Sequence, residues 1–183
     1  MDGEQDSLNM SDATYSQGAI SVREERESDI AEVFALVQGA FSDRPFSSGT
    51  EGSILQGLRA DGDMALALVA ERGGERVGHI AFSPVSIDGD TEGLFALGPV
   101  AARVDLRGQG IGTALIETGL GRLRECGAKG CVLVGDPGYY SRFGFEGDIG
   151  LTHNGLPPRV VQGLFWDGCA RTGEIAYAPA FGR

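Results

Sequence analysis

The chain has 183 residues, which suits one domain of ordinary size with an extended terminus. Acidic residues outnumber Lys and Arg by 26 to 15, so the net charge is −11, and a surface this acidic repels the phosphate backbone of nucleic acids. No apolar run approaches the ~18 residues of a membrane-spanning helix, and the three cysteines have no CxxC spacing. We therefore expect a protein of the reducing cytoplasm, with no structural metal and no nucleic-acid or membrane partner.

Residues 1–18 differ in composition from the rest of the chain. They contain four acidic residues and no basic one, and their few large apolar side chains follow no period. A segment of this kind cannot bury enough apolar surface to offset the entropy lost on ordering. The composition predicts a disordered acidic tail over residues 1–18 and one folded domain over residues 19–183.

Hydrophobic periodicity predicts alternating strands and helices from Ile20 onward. The first half is predicted to contain, in chain order, a strand over 20–23, a helix over 29–41 with Ser28 as its N-cap, a helix over 50–60, and strands over 65–70, 77–85 and 94–102. The second half is predicted to contain a helix over 110–126, a strand over 131–134, a short helical segment through Phe143, and strands over 160–166 and 174–178. This order predicts a mixed sheet with helices on its faces.

The run from Leu94 to Ala102 is almost continuously apolar, which is typical of a central strand buried on both faces. Pro99 lies inside this run and has no backbone N–H to donate to a neighbouring strand. The strand is therefore predicted to bulge or to part from its neighbour at Gly98–Pro99.

The segment from Arg107 to Thr113 lies between this strand and the start of a predicted helix. Its glycines allow a ligand to approach the backbone, and the helix start offers N–H groups and a positive dipole end, so the segment suits a pyrophosphate. No Gly-Lys-Ser/Thr sequence completes a P-loop. A GxGxxG dinucleotide motif lacks its third glycine because Thr113 stands there, which disfavours a nucleotide-dependent oxidoreductase.

Three segments carry a resemblance to a known family. The spacing R-x-x-G-x-G at Arg107, Gly110 and Gly112 resembles the acetyl-CoA pyrophosphate loop of the GNAT superfamily of N-acetyltransferases. Residues 97–102 resemble the splayed strand that precedes that loop, and residues 135–145, with Tyr-Tyr-Ser-Arg-Phe-Gly-Phe, resemble the second cofactor segment. Together with the tail at 173–181, they resemble the YhbS-like branch of the superfamily.

The resemblance implies an α/β (α+β) fold with a mixed, mostly antiparallel central sheet and a splayed strand pair that receives acetyl-CoA. It implies acetyl transfer from acetyl-CoA to an amine, and it makes Tyr140 the catalytic residue, a phenol that donates a proton to the departing thiolate. It also implies that acetyl-CoA is bound by Val100, Ala101, Ala102, Arg107, Gly108, Gln109, Gly110, Ile111, Gly112, Thr113 and Tyr139.

Several alternatives stay open from the sequence. Glu92, His79 and Glu51 are candidates for the general base. For each of them, a structural role has at least as much support as a catalytic one. The expected acceptor is a small-molecule amine or a peptide amine, and the sequence does not identify which. A GNAT-fold module that binds CoA as a sensor, without transferring acetyl, is the alternative function. Dimers are frequent among proteins that resemble this family, so a homodimer is an expectation that no pattern in the sequence supports.

Overall fold

The computed structural model describes residues 18–42 and 49–182 of the chain. The described elements are β1 (Ser21–Glu24), α1 (Ile30–Phe41), α2 (Glu51–Asp61), β2 (Leu66–Arg72), β3 (Glu75–Ile87), β4 (Leu94–Ala102), α3 (Ile111–Glu125), β5 (Gly130–Val134), α4 (Pro137–Tyr140), β6 (Leu151–Thr152), β7 (Val161–Phe165) and β8 (Gly173–Tyr177). The predicted acidic tail lies outside the described residues except for Gly18. The predicted elements are all present, and the short strand β6 was not predicted.

The strands form one mixed sheet in the order β1-β2-β3-β4-β5-β7, and β8 joins the end of β3 and pairs with β6. Among the strand pairs in the described residues, only β4–β5 and β6–β8 are parallel, so the predicted mostly antiparallel sheet is confirmed. The parallel β4–β5 pair needs a crossover, which α3 provides.

Helices cover both faces of the sheet. Helix α3 packs its apolar stripe, including Ile111, Leu115 and Ile116, on a core that contains Phe82 of β3 and Leu133 of β5. Helices α1 and α2 pack on the opposite face in a second apolar cluster. In the part of the chain that the structure describes, no helix is long and apolar enough to cross a membrane.

Strand β4 changes partners along its length. Leu94–Ala96 pair with Gly130–Val132 of β5, and the ladder ends there. On the other side, Ile80 pairs with Val100 and Phe82 pairs with Leu97, so β4 has one residue more than β3 across this interval. The predicted bulge at Gly98–Pro99 is therefore confirmed, and the β4–β5 pair parts immediately before it.

The start of α1 is organised by Asp29 rather than by Ser28, which was predicted to be the N-cap. A short 3₁₀ turn over Glu27–Asp29 precedes the helix, and Asp29 is its N-cap residue. The Asp29 carboxylate is completely buried and accepts hydrogen bonds from the guanidinium of Arg23 (2.7 and 3.0 Å), from Arg76 (3.0 Å) and from the backbone N–H of Arg26 (2.8 Å). The hydrogen bonds, led by that from Arg23, hold the pKa of Asp29 well below its ordinary value, although burial opposes them. The cap prediction was wrong because the 3₁₀ turn includes Ser28 and moves the first residue of α1 to Ile30, which leaves Asp29 at the N-cap position.

We expect Asp29→Asn to lower the free energy of unfolding at neutral pH by about 2–4 kcal/mol, because Arg23 and Arg76 lose a buried carboxylate and keep only the more exposed Glu71 and Glu32. A carboxyl whose pKa is depressed by folding stabilises the protein above its unfolded pKa, near 4, and that contribution is lost as the pH falls further. Denaturant unfolding at several pH values should therefore show a weaker acid dependence in the variant. Glu27→Gln, an exposed acid in the same turn, is the control. Equal stability of the two variants would contradict the assignment.

Candidate functional site

The glycine-rich segment forms a tight entry into α3. Gly110 has φ = +83°, a left-handed conformation that favours glycine, and it is the N-cap residue of the helix. The backbone N–H of Ala114 donates to the Gly110 carbonyl at 2.9 Å, which closes the first helical turn. The N–H groups of residues 111–113 have no acceptor within the helix, and they lie at its N-terminus, which is the positive end of the helix dipole. This arrangement suits an anionic ligand.

Two side chains fix this segment to the rest of the molecule. The Arg107 guanidinium donates to the Ala40 carbonyl at 2.5 Å, at the C-terminal end of α1. The Gln109 side-chain oxygen accepts from Arg72 at 2.6 Å, at the end of β2. Sequence reasoning missed Arg72, because it lies 37 residues before Gln109 and only the fold brings the end of β2 to the loop.

The segment after β5 reaches the same place. A Cβ at Gly112 would lie 2.8 Å from the Tyr139 hydroxyl, so that hydroxyl group lies against the first turn of α3. Asp136 caps α4 by accepting from the Gly138 N–H at 2.9 Å, and Arg142 lies over the Tyr139 ring, 4.6 Å from its centroid. The structure thus brings together the two segments that the sequence singled out.

Tyr140 packs at the end of β5. Its ring meets Tyr139 edge to face at a centroid distance of 5.0 Å and Phe145 at 6.1 Å. A Cβ at Gly135 would lie 2.4 Å from a carbon of the Tyr140 ring, so the ring lies directly on the Gly135 backbone. Gly135 is a second residue that sequence reasoning missed. Its role depends on this close approach and has no local signature.

The predicted backbone contacts of β4 lie along the gap that separates it from β5. Val100 pairs with Ile80 and Ala102 with Gly78 on the β3 side. On the other side the ladder to β5 ends at Ala96, so the following residues of β4 have no strand partner on that edge among the described residues. An extended ligand with amide groups can hydrogen-bond to such an edge.

The three candidate bases lie in different surroundings. Glu92 is exposed, pairs with Lys129 at 2.7 Å and precedes β4, about 30 Å of extended strand from Ala102. His79 is completely buried in β3, with its Nε2 atom 3.7 Å from a Glu25 oxygen. Burial alone would raise the pKa of Glu25, but His79 and Arg59 lower it below its ordinary value. Glu51 begins α2. The structure does not bring the three together.

Comparison with known proteins assigns the chain and its fold to a family. Residues 21–147 match the family model described as the acetyltransferase (GNAT) domain. The chain belongs to the GNAT family. A curated relative from Escherichia coli K12, the uncharacterized N-acetyltransferase YhbS, is 41% identical over 104 residues, which are 56% of this chain and 62% of that protein. The chain therefore matches less than two thirds of that relative's length.

Two solved structures are similar over most of the chain. A GNAT family acetyltransferase from Brucella melitensis, solved in complex with acetyl-CoA, is 42% identical, with a TM-score of 0.80 over 89% of this chain and 98% of that one. YhbS from Escherichia coli, solved in complex with CoA, is 33% identical, with a TM-score of 0.81 over 90% and 92%. The expected GNAT fold is confirmed. Within the described ranges, no three His, Cys, Asp or Glu side chains group as metal ligands.

We expect Gly135→Ala to lower the free energy of unfolding by about 1–3 kcal/mol, because the added methyl group overlaps the Tyr140 ring. Gly121→Ala is the matched control, since a Cβ there meets no atom within 4 Å and Ala favours a helix by up to about 1 kcal/mol. Denaturant unfolding of both variants checks the expectation. A Gly135→Ala protein as stable as the unmodified one would mean that Tyr140 does not rest on this backbone.

Proposed function

We propose that this protein is an N-acetyltransferase that moves the acetyl group of acetyl-CoA to a primary amine by direct transfer in a ternary complex. The observation that carries the proposal is the position of the Gly108–Gly112 segment, at the start of α3 and beside the gap between β4 and β5. The Brucella protein that shares this fold was solved with acetyl-CoA.

The residues around the gap fit acetyl-CoA group by group. The N–H groups of the first turn of α3 suit the pyrophosphate, and Arg107 and Arg72, which donate to uncharged acceptors, add two positive charges beside the loop. The open edge of β4 from Leu97 to Ala102 suits the amides of the pantetheine arm. Tyr139 lies against Gly112 and forms one wall of the proposed binding site.

Acetyl-CoA supplies a thioester as the acyl donor when it is bound. A backbone N–H of Val100 or Ala102, directed into the gap, would stabilise the negative charge that develops on the carbonyl oxygen. As the bond from the amine nitrogen to the carbonyl carbon forms and the bond from carbon to sulfur breaks, the Tyr140 hydroxyl gives its proton to the leaving sulfur. The amine loses a proton to water, and Tyr140 regains one from solvent.

The cysteines support direct transfer rather than an acetylated enzyme. Cys131 in β5 is the cysteine nearest the gap and is completely buried. Burial raises the pKa of its thiol far above the ordinary value, so it stays protonated and is a poor nucleophile. Cys126 follows the C-terminal end of α3, opposite the loop.

The decisive experiment measures release of free CoA thiol from acetyl-CoA in the presence of a panel of amines. Amine-dependent release supports the transferase. CoA binding without release for any amine would instead support the alternative, a CoA-binding sensor of the same fold.

Acetyl-CoA should raise the stability of the protein by mass action, by about 2.7 kcal/mol at a concentration of 100 times Kd. We expect Gly110→Asp to abolish this gain, because its carboxylate lies where the pyrophosphate is proposed to bind. Gly110→Asn is the matched control: both residues tolerate a positive φ, but Asn carries no charge, so it should keep most of the gain. Thermal unfolding with and without acetyl-CoA measures the gain in stability for each variant. An unchanged gain in Gly110→Asp would place the cofactor elsewhere.

We expect Tyr140→Phe to lower kcat by about 10²–10⁴-fold, because the ring and its packing stay but the acidic proton is lost. The affinity for acetyl-CoA should change far less, since one hydrogen bond contributes about 1 kcal/mol. Steady-state kinetics and a binding titration separate the two effects. Tyr139→Phe, the neighbouring ring, is the control and should be milder. A wild-type kcat in Tyr140→Phe, with chemistry rate-limiting, would leave Tyr140 as a packing residue.

A further inference from the structure

The described part of the chain begins close to the glycine-rich loop at the start of α3. Gly18 is the first described residue, and it lies against the hairpin turn between β2 and β3. A Cβ at Gly18 would be 3.5 Å from the backbone nitrogen of Gly73 and 4.0 Å from the Cγ atom of Arg72. At its other end, the Arg72 side chain donates to the Gln109 side chain at 2.6 Å. Gly18 and the loop are therefore joined by one arginine side chain.

The Arg72 guanidinium is available to a further anionic partner. Its hydrogen bond to the loop is exposed to solvent, and its Nε atom has no hydrogen-bond partner among the described residues. The acidic residues next to it in the hairpin are engaged elsewhere. Glu71 pairs with Arg23 at 2.5 Å. Glu75 pairs with Arg103 at 2.6 Å, so within the described ranges no carboxylate neutralises Arg72.

The residues that precede Gly18 carry the opposite charge. We call residues 1–17 the acidic segment, since it contains no Lys or Arg and four acidic residues, Asp2, Glu4, Asp6 and Asp12. Asp12 is six residues before Gly18, a length of chain that spans at most about 22 Å when extended. Its carboxylate can therefore reach Arg72. It can also reach the first turn of α3, where free N–H groups and the helix dipole favour negative charge.

We propose that the acidic segment binds at Arg72 and the glycine-rich loop and so competes with the pyrophosphate of acetyl-CoA. The inference rests on the cofactor site proposed above. Because the segment belongs to the same chain, its contact with the loop is intramolecular and has an effective concentration on the order of 1 mM. The acidic segment then raises the acetyl-CoA concentration that the protein needs for binding.

Isothermal titration calorimetry of the full chain and of a variant lacking residues 2–17 measures the Kd of acetyl-CoA for each protein. The deletion should lower Kd about 3- to 10-fold at low salt, as an effective concentration near 1 mM predicts for a contact with an intrinsic Kd of about 0.1–0.5 mM. In 1 M NaCl, where the Debye length is about 3 Å, the two Kd values should converge.

A second variant keeps the length of the segment and removes only its charge, through Asp2→Asn, Glu4→Gln, Asp6→Asn and Asp12→Asn. It should lower Kd as much as the deletion does, because the contact is electrostatic. The matched control removes four negative charges at exposed acidic residues elsewhere in the chain, through Glu27→Gln, Glu125→Gln, Glu146→Gln and Asp148→Asn. It should change Kd less than about twofold.

The outcomes separate this inference from the proposed function. Equal Kd values for the full chain and both segment variants would overturn the competition and leave the cofactor site in place. A control variant that lowers Kd as much as the segment variants do would also overturn it, because net charge alone would then explain the effect. A difference that disappears on tenfold dilution of the protein would assign the contact to a second copy of the chain. Absence of acetyl-CoA binding by the full chain and by both segment variants would overturn the proposed function itself.

Discussion

The loss of pairing between β4 and β5 beyond Ala96 and Val132 is the constraint on which the rest of the site depends. Backbone N–H and C=O groups in a protein interior need partners, and a parted strand pair leaves a row of them without any from its neighbour. Pro99 and the extra residue of the bulge make continued pairing unfavourable at this point. The fold therefore keeps a slot that an extended ligand with amide groups can occupy.

The crossover connection explains why the proposed anion site lies at the end of this slot. A parallel pair cannot be joined by a tight turn, so the chain leaves β4, enters α3 and returns to β5. The start of α3 then lies at the open end of the gap, with its unpaired N–H groups and its positive dipole end. The same connection that makes β4 and β5 parallel thus supplies the helix start that is proposed to bind the pyrophosphate.

The net charge of the protein and the charges of the arginines beside the glycine-rich loop have opposite signs. The net charge of −11 opposes an anionic ligand at long range. Around the loop, however, Arg72 and Arg107 donate to uncharged acceptors, Gln109 and the Ala40 carbonyl, and so keep their positive charge available. The two arginines around Asp29 are instead paired with carboxylates, namely the buried group of Asp29 and those of Glu71 and Glu32. Arginines of the first kind can attract phosphate, and those of the second kind stabilise the fold.

The order of most strands and helices, the bulge at Gly98–Pro99 and the glycine-rich start of α3 could be predicted from the sequence. Hydrophobic periodicity, the missing N–H of a proline and the conformational freedom of glycine all act within a few residues. The sequence also placed Tyr140 next to that site through resemblance. The folded chain was needed to show that Arg72 contacts Gln109 and that the Tyr140 ring lies on the Gly135 backbone. These contacts join segments up to about forty residues apart, and side-chain packing between strands, which leaves no local pattern, selects them.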